Sequence, residues 1–157
     1  LMLLILMYCR FLANLSPNAV EVAMEMKHNC ISLRVAFCHR HRVQYSYTSL
    51  PNKLDQSNQD YINMQLAEYD ALISVKCYNL LPLFLCSLYA PKCNTSFHVI
   101  KPCKSLCKEA VRRCEFFLAV FSLQWPFEFN CDHFEDDSDA DICVGFRENQ
   151  LLQRKAQ

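Results

Sequence analysis

The sequence predicts one mainly α-helical, disulfide-rich domain with a small two-stranded β element. Two observations carry this prediction: 11 of the 157 residues are cysteine, and only one is glycine. Ten of the cysteines lie between Cys30 and Cys143, a density typical of disulfide scaffolds in oxidising, extracellular compartments. Because so few residues can adopt left-handed backbone conformations freely, a helix-rich body is favoured. The 52% hydrophobic content excludes a disordered chain.

The composition also excludes several classes of function. Lys plus Arg and Asp plus Glu number 16 each, so the chain lacks the cationic surplus that nucleic-acid binding needs. A single glycine is incompatible with Gly-rich phosphate loops and dinucleotide fingerprints. No nucleophile stands beside a base, and no carboxylate pair suits acid–base chemistry. We therefore predict neither an enzyme nor a cofactor site.

Two metal-binding interpretations are disfavoured. Zinc sites usually contain C-x-x-C pairs, whereas the closest cysteines here are Cys103 and Cys107. The aspartates from Asp137 to Asp141 have the spacing of a calcium loop, but Ile142 occupies the position that needs glycine. We therefore predict no metal site. The His39–Arg42 run could bind a metal or a sulfated polyanion, but a solvated loop is favoured.

Hydrophobic periodicity predicts the order of the elements. Apolar residues alternate from Ile31 to Phe37 and predict a strand, followed by a second strand over 43–48. Apolar residues spaced by three and four predict a helix over 60–76, for which Ser57 and Asn58 are N-cap candidates. A second helix is predicted over 80–90.

The clearest predicted element is a long amphipathic helix that begins after Pro102. Its inner face carries Cys103, Cys107 and Cys114, so three disulfides would hold it. Residues 116–121, FFLAVF, are more apolar than one core face requires. We therefore predict apolar surface at the end of this helix, as a lipid site would need.

The chain divides into three predicted segments. Residues 1–25 are interpreted as a signal-peptide remnant and tail, because their apolar run is too short to span a bilayer. Residues 26–145 form the folded domain, and residues 146–157 begin a polar linker. We expect an extracellular location, secreted or at the cell surface, with a membrane anchor only if one follows Gln157. Asn94 begins a glycosylation sequon.

Several motifs resemble the Frizzled-type cysteine-rich domain. They are FLCSLYAPKC over 84–93, IKPCKSLC over 100–107, and the Trp125–Pro126 pair before Cys131. The resemblance covers roughly 115 residues. It implies the Frizzled-like cysteine-rich fold with five disulfides, whereas spacing alone leaves the pairing open. The implied pairs are Cys30–Cys93, Cys38–Cys86, Cys77–Cys114, Cys103–Cys143 and Cys107–Cys131.

The resemblance implies an extracellular domain that recognises lipid-modified Wnt proteins through an apolar groove. Such a domain would belong to a receptor or to a secreted antagonist of Wnt signalling. The alternative is an accessory recognition module of a larger extracellular enzyme or matrix protein. The expected partners are Wnt proteins carrying a fatty acyl group, with a second copy of the chain as a further candidate. By resemblance, the groove is lined by Glu68, Tyr69, Ala71, Leu72, Val75, Phe121 and Leu123.

Overall fold

The computed structural model describes residues 30–94, 96, 98–136, 142–145 and 147. The predicted tail (1–25) and all of the predicted linker except Arg147 lie outside these residues. The described elements follow the order β1 Cys30–Ser32, α1 Ala36–Arg40, β2 Tyr47–Ser49, α2 Gln59–Ala67, α3 Asp70–Ser74, α4 Leu81–Tyr89, β3 Lys92–Cys93, β4 Val99–Ile100, α5 Lys104–Val120 and a 3-10 turn at Cys131–His133.

The β element is larger than predicted. Four short strands form one antiparallel sheet in the order β1-β2-β3-β4, and Cys30 of β1 lies opposite Ser49 of β2. The prediction of a strand through Phe37 is wrong, because residues 36–40 form helix α1. Phe37 and its neighbour Cys38 are both buried. A strand sends successive side chains to opposite faces, whereas a short helix packed on the core buries both.

The predicted helix over 60–76 is two helices. The prediction that Asn58 caps its start is confirmed, since the Asn58 side-chain oxygen accepts hydrogen bonds from the N–H groups of Asp60 and Tyr61. The helix is interrupted before Tyr69, which has φ −87° and ψ 1°. This interruption turns the Tyr69 ring into the core, where its hydroxyl lies 3.1 Å from the hydroxyl of Tyr89.

The core lies between α4 and the inner face of α5. Every residue of α4 except Pro82 and Leu83 is buried, in agreement with the nearly all-apolar sequence. The predicted inner stripe of α5 is confirmed, and its buried members are Leu106, Cys107, Ala110, Cys114 and Leu118. An aromatic cluster extends the core: Trp125 packs on Tyr69 and Phe84, and Phe129 packs on Tyr89.

Five disulfides connect these elements. They join Cys30 to Cys93, Cys38 to Cys86, Cys77 to Cys114, Cys103 to Cys143 and Cys107 to Cys131, the same pairs that the resemblance implies. Three of them attach other segments to α5 or to Cys103, the residue that precedes it. Each disulfide typically contributes about 2–4 kcal/mol to stability. The long helix is thus the element to which the rest of the domain is attached.

The single glycine of the sequence lies where a side chain cannot fit. Gly145 has φ +107°, and a Cβ atom there would lie 2.8 Å from Cδ2 of Leu106. The preceding residue, Val144, exchanges backbone hydrogen bonds with Lys101 and Cys103. Gly145 therefore allows the segment around Cys143 to pack closely on the first turn of α5.

Candidate ligand-binding surface

Helix α3 lies beside the C-terminal half of α5 and is fixed there at two points. The Cys77–Cys114 disulfide follows the end of α3. Just before its start, the Tyr69 ring stacks on Trp125 with centroids 6.1 Å apart and planes 21° apart. We call the apolar surface between these two points the α3–α5 surface. We assign to it Val75, Phe117, Phe121 and Leu123, of which Phe117 and Leu123 pack on the core cluster that contains Tyr69 and Leu72.

The structure separates the seven predicted groove residues into two groups. Tyr69 and Leu72 are only 4% and 0% exposed, so both belong to the core of the domain. Val75 and Phe121 are 40% and 36% exposed. Glu68 and Ala71 are exposed, and Leu123 is half-buried. Five of the seven side chains therefore present atoms to solvent.

Phe117 joins this surface although the predicted set omits it. It is half-buried against the core and precedes Phe121 by one helical turn. Side chains four residues apart share one side of a helix, and this spacing is visible in the sequence. Phe117 therefore extends the surface along α5.

The end of α5 is a left-handed turn without glycine. Ser122 has φ +56°, its N–H donates to the carbonyl of Ala119, and the N–H of Leu123 donates to the carbonyl of Leu118 at 2.8 Å. This is the hydrogen-bond pattern of a Schellman motif, in which the residues at its two ends usually make an apolar contact. Leu123 and Leu118 accordingly pack on the same core. The turn brings Leu123 back beside Phe121.

A second apolar face lies on the outside of α5. Phe116 and Val120 are 72% and 58% exposed. At 3.6 residues per turn they lie on the side away from the buried Cys114, whereas Phe117 and Phe121 lie towards α3. The predicted excess of apolar surface at this helix end is confirmed. It covers two sides of α5, which meet where the Phe116 and Phe117 rings pack edge to face with centroids 5.4 Å apart.

One charge beside the α3–α5 surface is neutralised. Asp70, the first residue of α3, pairs with Arg40 of α1 at 2.9 Å. Both side chains are about half exposed, so the pair adds little stability. It does, however, compensate the carboxylate next to an apolar surface. Glu68 accepts a hydrogen bond from the Gln65 amide at 3.2 Å.

Three buried polar groups meet around Tyr69: its own hydroxyl, the Tyr89 hydroxyl and the indole N–H of Trp125. Burial raises the pKa of the Tyr69 hydroxyl, and it also raises the pKa of the Tyr89 hydroxyl that shares its hydrogen bond. Both phenols are therefore neutral near pH 7. The indole N–H of Trp125 is buried and has no hydrogen-bond partner among the described residues. The floor of the surface is therefore uncharged, and one of its hydrogen-bond donors is unused.

The prediction that His39–Arg42 is a solvated loop is correct for exposure, since His39, Arg40 and Arg42 are exposed, but wrong for the backbone of its first half. His39 and Arg40 lie in α1, and Nε2 of His39 is 2.9 Å from the carbonyl oxygen of Leu33. The His41 ring packs on Phe37 with centroids 4.6 Å apart. Because Arg40 also pairs with Asp70, most of this run is held by contacts within the domain.

The glycosylation candidate Asn94 lies in the turn between β3 and β4. Its side-chain oxygen accepts hydrogen bonds from the N–H groups of Ser96 and His98, at 3.0 and 2.9 Å. Thr95 of the sequon lies outside the described residues. Glycosylation of Asn94 stays a prediction.

Within the described part of the chain, no three His, Cys, Asp or Glu side chains are grouped to hold a metal ion. The calcium-like segment from Asp137 to Asp141 lies outside that part. None of the helices in the described ranges is both long and apolar enough to cross a bilayer.

Comparison with known proteins assigns the family. The family model of the Fz domain matches residues 30–138. The chain belongs to the Fz domain family. A curated relative, Frizzled-1 of Xenopus laevis, is 35% identical over 103 residues, which are 66% of this chain and 18% of that protein. Fz domains of this family are extracellular receptor and binding modules of Wnt signalling.

Two solved structures have the same fold. The selenomethionine-labelled Smoothened cysteine-rich domain is 22% identical with a TM-score of 0.53, covering 73% of this chain and 92% of that one. The Xenopus Smoothened cysteine-rich domain in complex with cyclopamine is 27% identical with a TM-score of 0.53, covering 67% and 93%. These matches confirm the predicted mainly helical, disulfide-rich fold with a small β element.

Proposed function

We propose that this domain binds Wnt-type proteins through their fatty acyl group, which lies on the α3–α5 surface. The observation that carries the proposal is the partial exposure of the apolar side chains Val75 and Phe121, at 40% and 36%. Family membership supports the choice of ligand class. The domain acts as a recognition module without catalysis of its own.

The energetics suit an acyl ligand. Burial of an acyl chain gains about 0.8 kcal/mol per CH2 group, so a few methylenes can supply much of the affinity. Val75 and Phe121 are exposed and Leu123 is half-buried, whereas Leu72 is fully buried. An acyl chain therefore contacts Phe121, Val75 and Leu123 first, and reaches Leu72 only if those side chains move apart.

The three side chains have distinct roles in this proposal. Phe121 and Leu123, which the turn at Ser122 holds in place, cover one side of the acyl chain. Val75, at the end of α3, covers the other side of the acyl chain. The Arg40–Asp70 pair keeps a bare carboxylate from facing the acyl group.

The direct test compares an acylated Wnt-type protein with the same protein lacking its acyl group. Binding to the immobilised, disulfide-intact chain is measured by surface plasmon resonance. We expect the acylated form to bind at least about tenfold more tightly, equivalent to about 1.4 kcal/mol. Equal affinity for the two forms would exclude the acyl group as the main determinant.

A second candidate ligand is a free apolar small molecule at the same surface. The similar Smoothened domain that was solved in complex with cyclopamine favours this candidate. Competition distinguishes the two. If cyclopamine displaces the acylated protein, the surface accepts both ligands; if it binds without displacing that protein, the two sites are separate.

We further propose residues 26–145 as the folded unit, preceded by a leader and tail and followed by a linker. The chain spans 18% of the length of the Frizzled-1 protein that it matches. A receptor ectodomain, a secreted antagonist and an accessory module of a larger extracellular protein all accommodate such a unit. Limited proteolysis with N-terminal sequencing checks the boundaries.

A further inference from the structure

A second apolar site lies away from the α3–α5 surface and shares none of its residues. It is an open pocket of about 100 Å³ beside β2, β4 and the end of α4. Its floor contains Leu88, Phe129 and Phe134, which are buried except where the pocket opens. Its exposed rim includes Lys53, Val99 and Lys101.

The rim brings two cations to an apolar floor. Nζ of Lys53 lies 5.5 Å from the centroid of the Phe134 ring. Partial burial lowers the pKa of Lys53, and the nearby charge of Lys101 lowers it further. Neither lysine forms an ion pair with any carboxylate of residues 30–94, 98–136 or 142–145, whereas Lys104 pairs with Asp136 at 3.3 Å. An anion bound at the rim would relieve the repulsion between the two lysines.

The size of the pocket restricts its occupant. Sites for small molecules usually enclose about 300–1,000 Å³, and this pocket is roughly a third of the lower limit. A depression of this size takes one side chain, in the way that a single anchor residue fills a pocket at a protein interface. The two lysines favour carboxylates next to the anchor.

We propose that this site, the Lys53–Lys101 pocket, binds a protein segment in which one apolar side chain is flanked by acidic residues. The apolar side chain contacts Leu88, Phe129 and Phe134. The flanking carboxylates pair with Lys53 and Lys101. This interaction is independent of the acyl group, so one partner or two different partners can occupy the two sites together.

The probe for this proposal is the peptide acetyl-Ser-Glu-Leu-Asp-Ser-amide, titrated into the ¹⁵N-labelled full chain. Two controls change one feature each: acetyl-Ser-Gln-Leu-Asn-Ser-amide lacks the charges, and acetyl-Ser-Glu-Ser-Asp-Ser-amide lacks the apolar anchor. We expect a dissociation constant of about 1 mM, with shifts at the amides of Val99 and Lys101. Both control peptides should bind at least about fivefold more weakly.

Variants locate the site on the protein. Replacing Lys53 and Lys101 together by alanine should weaken binding about fivefold, and Val99→Ser should also weaken it. Lys108→Ala removes an exposed charge from α5 and should have no effect. Because all four residues are exposed, these variants should fold, and the ¹⁵N spectrum checks this.

The following outcomes would overturn the proposal. The first is equal binding of the charged peptide and its uncharged control. The second is unchanged binding to the double lysine variant, or no binding up to about 10 mM. The third is that a heparin tetrasaccharide shifts the pocket amides while the acidic peptide does not, which would assign the lysines to a sulfated polysaccharide.

Discussion

The α3–α5 surface and the Lys53–Lys101 pocket are both apolar, but their surroundings differ. The α3–α5 surface has carboxylates at its edge, and one of them, Asp70, is neutralised by Arg40. The pocket has two lysines at its rim, without ion pairs among the described residues. An uncharged acyl chain suits the first site, and a side chain flanked by carboxylates suits the second. The polar edge of an apolar site, rather than its floor, therefore determines which ligand it selects.

The two sites also differ in how they are built. The α3–α5 surface is formed by two segments of the chain that the Cys77–Cys114 disulfide joins. The pocket is assembled from segments far apart in the chain, from Lys53 to Phe134. Changes to the floor of the first site should therefore affect the whole domain, whereas changes to its rim should affect only binding.

The largest expected effect is a difference in the free energy of unfolding between a variant in the floor of the α3–α5 surface and a variant in its rim. Leu72→Ala should lower the free energy of unfolding by about 2–5 kcal/mol, because it leaves a cavity in a fully buried site. Val75→Ala should lower it by less than about 1 kcal/mol. Denaturant unfolding of the disulfide-intact chain measures both. Similar losses for the two variants would show that the floor and the rim are not distinct.

A smaller effect is expected at the turn that presents Phe121 and Leu123. Ser122 adopts φ +56°, a conformation that costs a non-glycine residue about 1–2 kcal/mol. Ser122→Gly should therefore stabilise the domain by about 1 kcal/mol, partly offset by the greater freedom of the unfolded chain. The matched control is Ser74→Gly within α3, which should be destabilising. Destabilisation by both variants would contradict the proposed backbone strain.

The smallest expected effect is the dependence of stability on acidic pH. It arises at His41, which follows the end of α1 and lies next to Arg40, the partner of Asp70. Burial, followed by the charge of Arg40, lowers the pKa of His41, while Asp70 opposes this shift. Between the unfolded value of about 6.5 and the lowered folded value, the unfolded chain binds more protons. The contribution of His41 to stability is therefore complete above about pH 6.5 and is lost as the pH falls through the folded pKa.

His41→Phe should flatten this part of the stability curve, because phenylalanine keeps the packing on Phe37 without a titrating group. Thermal unfolding between pH 7 and pH 5 provides the measurement. An identical pH slope in the variant and the wild type would exclude His41 as the source.

The sequence predicts those features of the fold that depend on local patterns. The stripe of α5, the cap at Asn58 and the burial of α4 all follow from spacing and residue type. The interruption before Tyr69 was not predicted, because it depends on contacts with Tyr89 and Trp125, which are distant in the chain. Tyr69 and Leu72 continue the apolar stripe of the predicted helix, and both are buried despite the interruption.

Helix α1 and the Lys53–Lys101 pocket illustrate the limit of local patterns in two ways. Alternation at Leu33, Val35 and Phe37 resembles a strand, and only the packing of Cys38 against α4 reveals the helix. The pocket has no sequence pattern at all, because its lysines and phenylalanines meet only in the folded chain.

The most direct test of the acyl-binding proposal compares two exposed apolar residues at the end of α5. Phe121→Glu places a carboxylate on the side that faces α3, and Val120→Glu places one on the outer face, where Val120 is 58% exposed. Binding of the acylated Wnt-type protein to each variant is measured alongside circular dichroism. We predict that Phe121→Glu weakens binding at least about tenfold, because an unpaired charge against the acyl chain is costly, and that Val120→Glu binds as the wild type does. Equal binding by both variants, or a loss confined to Val120→Glu, would contradict the assignment of the acyl group to the α3–α5 surface.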